Sequence, residues 1–472
     1  MSAIDARPRY DPAEVQGNIL RGYRRSRVRH LILEVADAPA ARRWLGAIVD
    51  ARDGAPGITS DAQWDVKPDF CLNLGVTYAG LRALGVPARS LATFPDEFVA
   101  GMAARAVKIG DIGASAPATW DPPFADADTV HLIATIHADD VTHLDRAQGS
   151  LIACAREQAL TLHAVRDGWN FDGDYVHFGY RDNISQPRFV GIHDRGSHAD
   201  AQPLAPIGSV LLGYPTEYEG LLWTVPQPDQ LGRNGSFNAF RILSQDVAGF
   251  EDYLDNAATR LLADPLAEEL LPAGQEGRIG PGFTRHQALR EVVAAKMCGR
   301  WRNGVPLASS PETPFPAEAV SLTDFEFSGG LHCPFGAHIR RSNPRGGTIV
   351  QRAARHTRRL VRRGIPYGPR YDPETPDHTE RGLLGNFIGA NLGAQFEALS
   401  CDWINLGLQD PRITGTNDPL LGANQPATSR FDIPLASGKT IRLHDIPRFV
   451  QTRGGAYTFL PSIPAIRYLA AL

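Results

Sequence analysis

The amino-acid sequence predicts an α+β protein that is built from antiparallel sheets and divided into two domains. First, the chain has 472 residues, whereas a single hydrophobic core stops growing near about 250 residues. Second, segments with the two-residue period of strands alternate with segments of helical period, at a spacing typical of an antiparallel sheet with helices packed on it. Third, the second half of the chain repeats this content without a short sequence repeat.

The first half of the chain contains three pairs of a strand and a helix. Residues 30–35 alternate like a strand, and the helical spacing over residues 40–49 begins just after Pro39. Two further pairs follow, with strands over residues 71–76 and 130–136 and helices over residues 78–84 and 141–161. We expect these elements to form one domain, preceded by an arm of residues 1–11.

The boundary between the domains is expected near residue 200. Residues 194–208 are rich in Asp, Ala, Pro and Gly and have no periodicity. This places an N-terminal domain at residues 1–200 and a C-terminal domain at residues 201–472. In the second domain we predict strands over residues 209–214 and 237–243 and helices over residues 245–262 and 285–298.

Composition and charge exclude several classes of protein. The 48 basic and 52 acidic residues give a net charge of -4, which predicts no nucleic-acid partner. The five cysteines are scattered without a C-x-x-C pair, which indicates a reducing compartment. The sequence shows neither an apolar signal segment at its start nor the ~20 apolar residues of a membrane helix. We therefore expect a cytoplasmic protein with no membrane partner, and leave its oligomeric state open, a homo-oligomer included.

One segment departs from the even balance of charge. Between His338 and Tyr371 there are ten arginines and no Asp or Glu. The ten are Arg340, Arg341, Arg345, Arg352, Arg355, Arg358, Arg359, Arg362, Arg363 and Arg370. Such a run needs a partner, either acids from elsewhere in the fold or a bound anion. The planar guanidinium fork suits carboxylates, phosphates and other oxyanions.

His338 lies in the string C-P-F-G-A-H-I-R-R-S-N-P-R, residues 333–345, and three interpretations of it stay open. A lone histidine near a loop is usually an ordinary polar residue. A zinc site with His332 and Cys333 lacks a second pair of ligands at standard spacing. An axial haem ligand needs only one imidazole, because the porphyrin supplies the other nitrogens and neighbouring arginines can neutralise the propionates.

Asp182 lies in the string H-F-G-Y-R-D-N-I-S-Q-P, residues 177–187. An aspartate at a turn is most often a capping residue, so this residue alone indicates no chemistry.

These two strings, together with R-R-G-I-P-Y-G at residues 362–368, resemble the three signature regions of the dye-decolourising (DyP-type) haem peroxidases. Blocks near residues 15–20, 78–85, 299–307 and 449–461 also resemble that family, so the likeness covers nearly the full chain. It implies two ferredoxin-like α+β domains, each with an antiparallel sheet and peripheral helices, and one haem b bound chiefly by the C-terminal domain.

The resemblance also implies roles for single residues. By motif match, His338 would be the proximal ligand of the haem iron, Asp182 the distal acid/base and Arg362 the distal arginine, with Arg363 as the alternative. Glu397 could orient His338, and Asp402 is the alternative residue for that role. Further haem-contacting residues are expected at Arg345, Asn183 and Leu384.

The expected activity is the reduction of hydrogen peroxide and the one-electron oxidation of small organic, dye-like or phenolic substrates. Asp182 would move a proton between the two peroxide oxygens. It can act as a base only while ionised, and its pKa must therefore stay well below the working pH, which predicts an activity optimum on the acid side. The Arg362 guanidinium would stabilise the negative charge that develops on the leaving oxygen.

Two positions depart from the family pattern. Asn183 stands where the family usually has Gly, and Asn is among the few residues that tolerate a positive φ. Gly385 follows G-L-L where a Phe is common, and the loss of that ring is expected to enlarge or wet the cavity. Gly385, Gly389 and Gly393 recur every four residues like a helix face, whereas the resemblance implies a strand that turns into a helix.

Two alternative functions therefore stay open. A widened pocket would suit a haem-dependent oxygenase or monooxygenase, and a decayed distal site would suit a haem-binding or carrier protein.

Overall fold

The computed structural model describes residues 10–52, 54–155, 159–193, 204–218, 220–345 and 358–472. Most of the predicted arm, residues 194–203 of the predicted domain boundary, and Arg352 and Arg355 of the arginine run lie outside these residues.

The chain forms ten strands and twelve α-helices within the described residues. The strands are β1 Arg27–Val35, β2 Phe70–Val76, β3 Leu132–Ala138, β4 Leu160–Trp169, β5 Ser236–Gln245, β6 Val361–Tyr367, β7 Gly382–Gly389, β8 Phe431–Pro434, β9 Thr440–Leu443 and β10 Val450–Leu460. The helices are α1 Ala38–Val49, α2 Tyr78–Ala83, α3 Ala88–Leu91, α4 Asp96–Ala104, α5 Ala106–Ile109, α6 Val141–Ala153, α7 Asp229–Gly232, α8 Val247–Leu262, α9 Ala267–Leu270, α10 Arg285–Cys298, α11 His338–Ser342 and α12 Ile463–Ala470. Two π-helical segments, Leu392–Glu397 and Leu399–Asn405, follow β7.

Eight of these strands form one antiparallel sheet in the order β4-β1-β3-β2-β10-β5-β7-β6. In one half of the sheet the order is β4-β1-β3-β2, with the fourth strand of the set at the edge beside the first. The other half, β10-β5-β7-β6, has the same order of its four strands; β8 and β9 form a separate sheet. The two sets meet where Val76 of β2 pairs with Phe459 of β10. The predicted α+β class with antiparallel, ferredoxin-like sheets is confirmed.

The sheet curls so that its edge strands β4 and β6 approach each other. A Cβ added at Gly168 of β4 would lie 2.5 Å from Cγ2 of Ile365 and 2.9 Å from the carbonyl oxygen of Pro366. Only glycine permits this contact, because any side chain would push the two strands apart. The sheet therefore has an inner face, enclosed by the curl, and an outer face on which helices pack.

One predicted element is wrong and another is too long. Residues 209–214 form turns and not a strand: a Cβ added at Gly208 would lie 2.2 Å from the carbonyl oxygen of Pro215, because the chain folds back on itself there. The predicted helix over residues 141–161 ends at Ala153, and its last two residues open strand β4. An apolar run does not distinguish a buried turn from a strand, which explains the first error.

The remaining predicted elements are confirmed, with ends shifted by a few residues. Helix α10 spans the predicted residues because Thr284 and Gln287 form a capping box at its start and Gly299, with a φ of 93°, ends it. The glycine-spaced segment forms strand β7 and then a π-helical segment, as the resemblance implied. Among the described residues, no helix is both long and apolar enough to cross a bilayer.

Candidate active site

A cavity lies between the outer face of the C-terminal strands and the segment that carries His338. Its empty space is about 1210 Å³ when its opening to solvent is included. The apolar part of its wall includes Leu243, Leu360, Phe387, Phe396, Leu421 and Val450. The wall also carries the imidazole of His338 and the guanidinium of Arg362, so it combines an apolar slot with two of the expected site residues.

His338 is the first residue of α11, and its Nδ1 lies 3.0 Å from Oδ2 of Asp418. Asp418 is completely buried and also accepts hydrogen bonds from the backbone N–H groups of Leu420 and Leu421 through Oδ1. Burial alone would raise the pKa of the Asp418 carboxyl, but the charge and hydrogen bond of His338 and the nearby Arg341 guanidinium lower it. An ionised Asp418 therefore keeps the proton of His338 on Nδ1 and leaves Nε2 free.

Arg341 connects the His338 helix to the chain around Asp418. Its side chain is buried, and it donates to the carbonyl oxygens of Gly336, Trp403 and Thr416 at 2.9 to 3.1 Å. Burial lowers the pKa of this guanidinium to about 10, so it stays charged. These bonds fix the position of α11 and hence the orientation of the His338 ring.

The expected partner of His338 was Glu397 or Asp402, and the structure corrects this. Glu397 is fully buried but bonds to Arg105 at 2.6 and 2.9 Å, to Lys108 at 2.9 Å and to the Tyr457 hydroxyl at 3.1 Å. Asp402 pairs with Arg358 at 2.8 Å. The role of Asp418 could not be predicted because the residue lies in no recognised motif. Its position in the turn-forming string N-D-P-L-L indicates only a capping carboxylate.

Arg362 and Arg363 point to opposite faces of strand β6, because successive side chains of a strand alternate. Arg362 lines the cavity, and its Nη2 donates to the carbonyl oxygen of Ser185 at 2.7 Å. Its backbone exchanges two hydrogen bonds with the Gln186 amide, at 2.7 and 3.0 Å. Arg363 faces the interior of the curled sheet, where its Nε donates to the carbonyl oxygen of Asn18. Arg362 therefore lines the cavity, and Arg363 does not.

Asp182 and Asn183 lie just outside this cavity, in an adjoining crevice. The segment of residues 185–187 and Arg362 line both spaces, so they form the partition between them. Asp182 is exposed, and its backbone N–H donates to the carbonyl oxygen of Asp174 at 2.8 Å. Asn183 has a φ of 58°, which agrees with the expectation that Asn can replace Gly at this turn.

Leu384 and Arg345, two further expected haem contacts, do not line the cavity. Leu384 is 1% exposed and faces the sheet interior, where Ile242 and Ile365 are its cross-strand neighbours. The Arg345 guanidinium lies 3.8 Å from the centre of the Phe325 ring and donates to the Thr323 carbonyl oxygen. Only alternate residues of β7 can face the cavity, which excludes Leu384.

Gly385 does lie on the cavity side of β7, but Phe387 covers it. A Cβ added at Gly385 would lie 2.7 Å from Cε2 of Phe387. The Phe387 ring, which lines the cavity, therefore occupies part of the space that a side chain at position 385 would take. The enlargement expected from Gly385 is partly offset by this ring.

Several cations that surround the cavity have partners in the fold. Arg358 and Arg359 form ion pairs with Asp402 and Glu217, and Arg448 donates to the carbonyl oxygens of Ile112 and Gly110. The arginine run thus finds both kinds of partner that its charge required: acids in the fold and a cavity suited to an anionic group.

Deeper in the cavity wall, Arg241 and Asp111 form a buried pair with two hydrogen bonds of 2.6 and 2.9 Å. The Thr452 hydroxyl bonds to the same carboxylate at 2.6 Å. Asp111, Arg241 and Arg448 lie in no motif and belong to three separate segments, so they could not be predicted from the sequence.

The residues of the cavity fit a haem. His338 has one ring nitrogen held by Asp418 and the other free to bind iron. Aromatic and aliphatic side chains can enclose the porphyrin, while Arg358, Arg359 and Arg448 line the same space and complement the charge of propionates. The described residues contain no group of three or more His, Cys, Asp or Glu side chains placed to hold a metal ion, so His332 and Cys333 do not form a zinc site with His338.

Comparisons with known proteins agree with this geometry. A scan against models of protein families gave no match. The dye-decolorizing peroxidase of Mycena epipterygia is 30% identical, over 98% of this chain and 87% of the relative. The multifunctional dye peroxidase DyP2 of Amycolatopsis sp. is 29% identical, over 97% of this chain and 95% of the relative.

Solved structures show the same likeness. A dye-decolorizing peroxidase in complex with 2,6-dimethoxyphenol has a TM-score of 0.77 and 28% identity, over 98% of this chain and 100% of that chain. A dye-decolorizing peroxidase whose heme pocket was engineered for asymmetric sulfoxidation has a TM-score of 0.77 and 25% identity, over 98% of this chain and 99% of that one. These findings support a peroxidase over an oxygenase or a haem carrier. The chain belongs to the dye-decolorizing peroxidase family, whose members are haem enzymes, and it is a DyP-type peroxidase.

Proposed function

We propose that this peroxidase uses haem b bound through His338, reduces hydrogen peroxide with the help of Asp182 and Arg362, and oxidises small phenolic or dye-like compounds. The observation that carries the proposal is the His338 imidazole, held by a buried carboxylate, in an apolar cavity that also contains the Arg362 guanidinium. When bound, the haem iron supplies the redox centre that accepts oxidising equivalents from peroxide and passes them on singly.

Asp418 would keep the proton on Nδ1 of His338. A hydrogen bond from an imidazole to an ionised carboxylate increases the basicity of the other ring nitrogen and fixes the ring orientation. Because Arg341 holds the same helix through three carbonyl oxygens, His338 would remain in place as substrates enter and leave.

Asp182 would take the proton from one peroxide oxygen and return it to the other. Its carboxylate lies in the crevice beside the cavity, behind the segment of residues 185–187. A proton-transferring group often reaches its working distance only when the reactants are bound. We expect this segment, which is bonded to Arg362 through Ser185 and Gln186, to determine how closely Asp182 approaches.

Arg362 would stabilise the negative charge that develops when the O–O bond breaks. Its guanidinium is permanently charged and already fixed by the Ser185 carbonyl oxygen, so little reorganisation is needed. The Arg362 side chain is also part of the partition, which would let it contact Asp182 and the peroxide together.

A small phenol is the proposed reducing substrate, because a solved structure of a related peroxidase contains 2,6-dimethoxyphenol. The repeated arrangement of four strands in each half supports the proposed division into domains of residues 1–200 and 201–472. A cytoplasmic location is proposed from the scattered, unpaired cysteines.

Rapid mixing of the ferric enzyme with hydrogen peroxide, followed through its Soret absorption, tests the proposal. Asp182→Asn and Arg362→Leu should each slow the peroxide-dependent spectral change by ~10²-fold or more. Asp65→Asn and Arg89→Leu change the same residue types at exposed positions and serve as matched controls. A wild-type enzyme that shows no Soret band, or variants that react at the wild-type rate, would contradict the proposal.

A further inference from the structure

A second polar space lies inside the curled sheet, on the face opposite the haem cavity. Polar side chains from seven strands point into it, although the interior of such a sheet is normally apolar. They are His30 of β1, Asn73 of β2, Thr135 and His137 of β3, Asn238 of β5, Arg363 of β6, Asn386 of β7 and Thr458 of β10. We call this space the interior crevice. None of these residues contributes to the haem cavity.

The interior crevice has a small inner part and a wider outer part. Asn18, His137 and Asn386 line both parts, so the two are continuous. The inner part has an empty volume of about 440 Å³ when its opening to solvent is included, and no Asp or Glu among its described lining residues. The outer part is the crevice that also holds Asp182; it opens to solvent and carries charges of both signs, including Arg24, Asp139 and Asp174. A small polar molecule could therefore enter from the outside and reach Arg363, which lines the outer part.

Polar atoms without partners point to an occupant of the interior crevice. Within the described part of the chain, His30 Nε2 and Asn238 Oδ1 are buried and make no hydrogen bond, although the residues are only 1% and 4% exposed. Tyr23, whose ring packs edge-on against His137 at 5.2 Å between centroids, lines the outer part of the crevice. A buried polar group that stays unsatisfied is costly, so buried polar atoms without protein partners indicate a bound molecule or water.

The charge of the crevice indicates the sign of the charge that the bound molecule carries. Arg363 forms no ion pair with any carboxylate of the described residues; its one side-chain hydrogen bond runs from Nε to the Asn18 carbonyl oxygen at 2.9 Å. Asp61, whose charge acts on Arg363, is itself bonded to Arg21 at 3.0 Å. Burial lowers the pKa of Arg363 to about 10, so the guanidinium keeps its charge at neutral pH.

His30 and His137 neither neutralise the positive charge of Arg363 nor add to it. Burial lowers the pKa of both His30 and His137 to about 3, so both rings are neutral and each can donate one hydrogen bond and accept another. His30 already uses Nδ1 toward the Thr135 hydroxyl at 2.9 Å. The fixed positive charge of Arg363 therefore adjoins neutral donors and acceptors of the sheet interior, while the outer part of the crevice carries further charges of both signs.

We propose that the interior crevice is a second binding site, for a small carboxylate anion, with Arg363 as its anchor. The two oxygens of a carboxylate match the planar guanidinium fork, and the neutral imidazoles and amides can complete its hydrogen bonds. The Arg363 side chain lies on the other face of strand β6 from the haem cavity, although Asp182 and Arg362 line the same outer part of the crevice.

Calorimetric titration of the haem-loaded enzyme with sodium acetate, against sodium chloride at equal ionic strength, tests this site. We expect saturable binding of acetate that chloride does not reproduce. Arg363→Gln should weaken acetate binding about tenfold or more, because a charge-assisted hydrogen-bonding pair is lost. Arg363→Lys should retain part of the affinity, and Arg89→Gln, at an exposed arginine, should behave as the wild type. The Soret band should not move during the titration, since acetate would not contact the iron.

Several results would overturn the proposal. Acetate binding that is equal in the wild type and Arg363→Gln, or no acetate binding at all, would mean that the crevice holds water only. A Soret shift that follows the binding curve would place the acetate on the haem instead. If Arg363→Gln fails to fold, Asn386→Leu provides the second variant, because Asn386 pairs directly with Arg363 across the two strands and the larger side chain would block the same space. Unchanged acetate affinity in that variant would also contradict the site.

Discussion

Asp418 accepts a hydrogen bond from Nδ1 of His338 at 3.0 Å, across 80 residues of sequence. The carboxylate is completely buried, and three backbone carbonyl bonds of Arg341 hold the helix that carries the histidine. The negative charge of Asp418, which water does not reach, thus orients the His338 ring.

Asp418→Asn should weaken haem binding or peroxidase activity about 10- to 100-fold, the usual effect of removing a carboxylate that supports a metal-bound histidine. The amide can still accept the hydrogen bond but no longer increases the basicity of the ring. Haem transfer to an apo-acceptor and the reduction potential of the iron measure the change, with a higher potential expected for the variant. Asp432→Asn is the matched control, since Asp432 pairs with Arg442 in the separate two-stranded sheet. Equal rates of haem transfer in the wild type, Asp418→Asn and Asp432→Asn would show that Asp418 does not support His338.

Glu397→Gln should instead lower stability while leaving the Soret band in place. Burial would raise the pKa of Glu397, but hydrogen bonds and charges from Arg105 and Lys108 lower it. The carboxylate therefore stabilises the fold above pH 4.5, its ordinary pKa, and this contribution is lost as the pH falls through the lower folded-state pKa.

The loss should be about 1–3 kcal/mol at neutral pH, because Glu397 is buried while Arg105 and Lys108 are partly exposed and can be hydrated. Chemical unfolding at pH 7 measures it. A displaced Soret band in Glu397→Gln, comparable to that of Asp418→Asn, would show that Glu397 supports the haem after all.

Gly385→Leu should exclude bulky ligands from the haem cavity. The new Cβ would lie 2.7 Å from the Phe387 ring. Either this ring turns toward the cavity or the leucine side chain enters the cavity, and both reduce its volume. Optical titration of the ferric enzyme should show that 4-phenylimidazole binds about tenfold or more weakly, by loss of space and contact, whereas cyanide affinity changes little. Equal losses for both ligands would indicate a general disturbance of the haem and not a change of shape.

The expected site residues that the sequence singled out lie in compact motifs. His338, Asp182 and Arg362 each stand in a short string that resembles a family motif, and the alternation of β6 then places Arg362, and not Arg363, on the cavity wall. This distinction needs the register of the strand, because neighbouring arginines are equivalent in the sequence until one face of the sheet is known to be the cavity face.

Residues joined only by tertiary structure could not be predicted. Asp418, Asp111 and Arg241 belong to separate segments, and their pairings arise from the way loops and strands pack. The same applies to the interior crevice, whose polar residues come from seven strands. Within each strand, a single His or Asn looks like an ordinary interruption of the apolar alternation, and only the curl of the sheet brings them together.

His30 makes the stability of the protein depend on pH. Burial lowers its pKa from 6.5 to about 3 in the folded state, whereas an unfolded chain would restore the ordinary value. Between these two values the unfolded state binds one more proton than the folded state, so the free energy of unfolding decreases as the pH falls from 6.5 toward 3. One proton corresponds to about 1.4 kcal/mol per pH unit.

His30→Gln should reduce this slope by up to about 1.4 kcal/mol per pH unit, because glutamine can still bond to Thr135 but does not titrate. Urea unfolding at a series of pH values from 7 to 5, in chloride only, measures the slope. His163→Gln is the control, since His163 is partly exposed and bonds to Glu34 on the surface. If His30→Gln keeps the wild-type slope, His30 does not stay neutral in the fold, and the interior crevice then carries more positive charge than Arg363 alone.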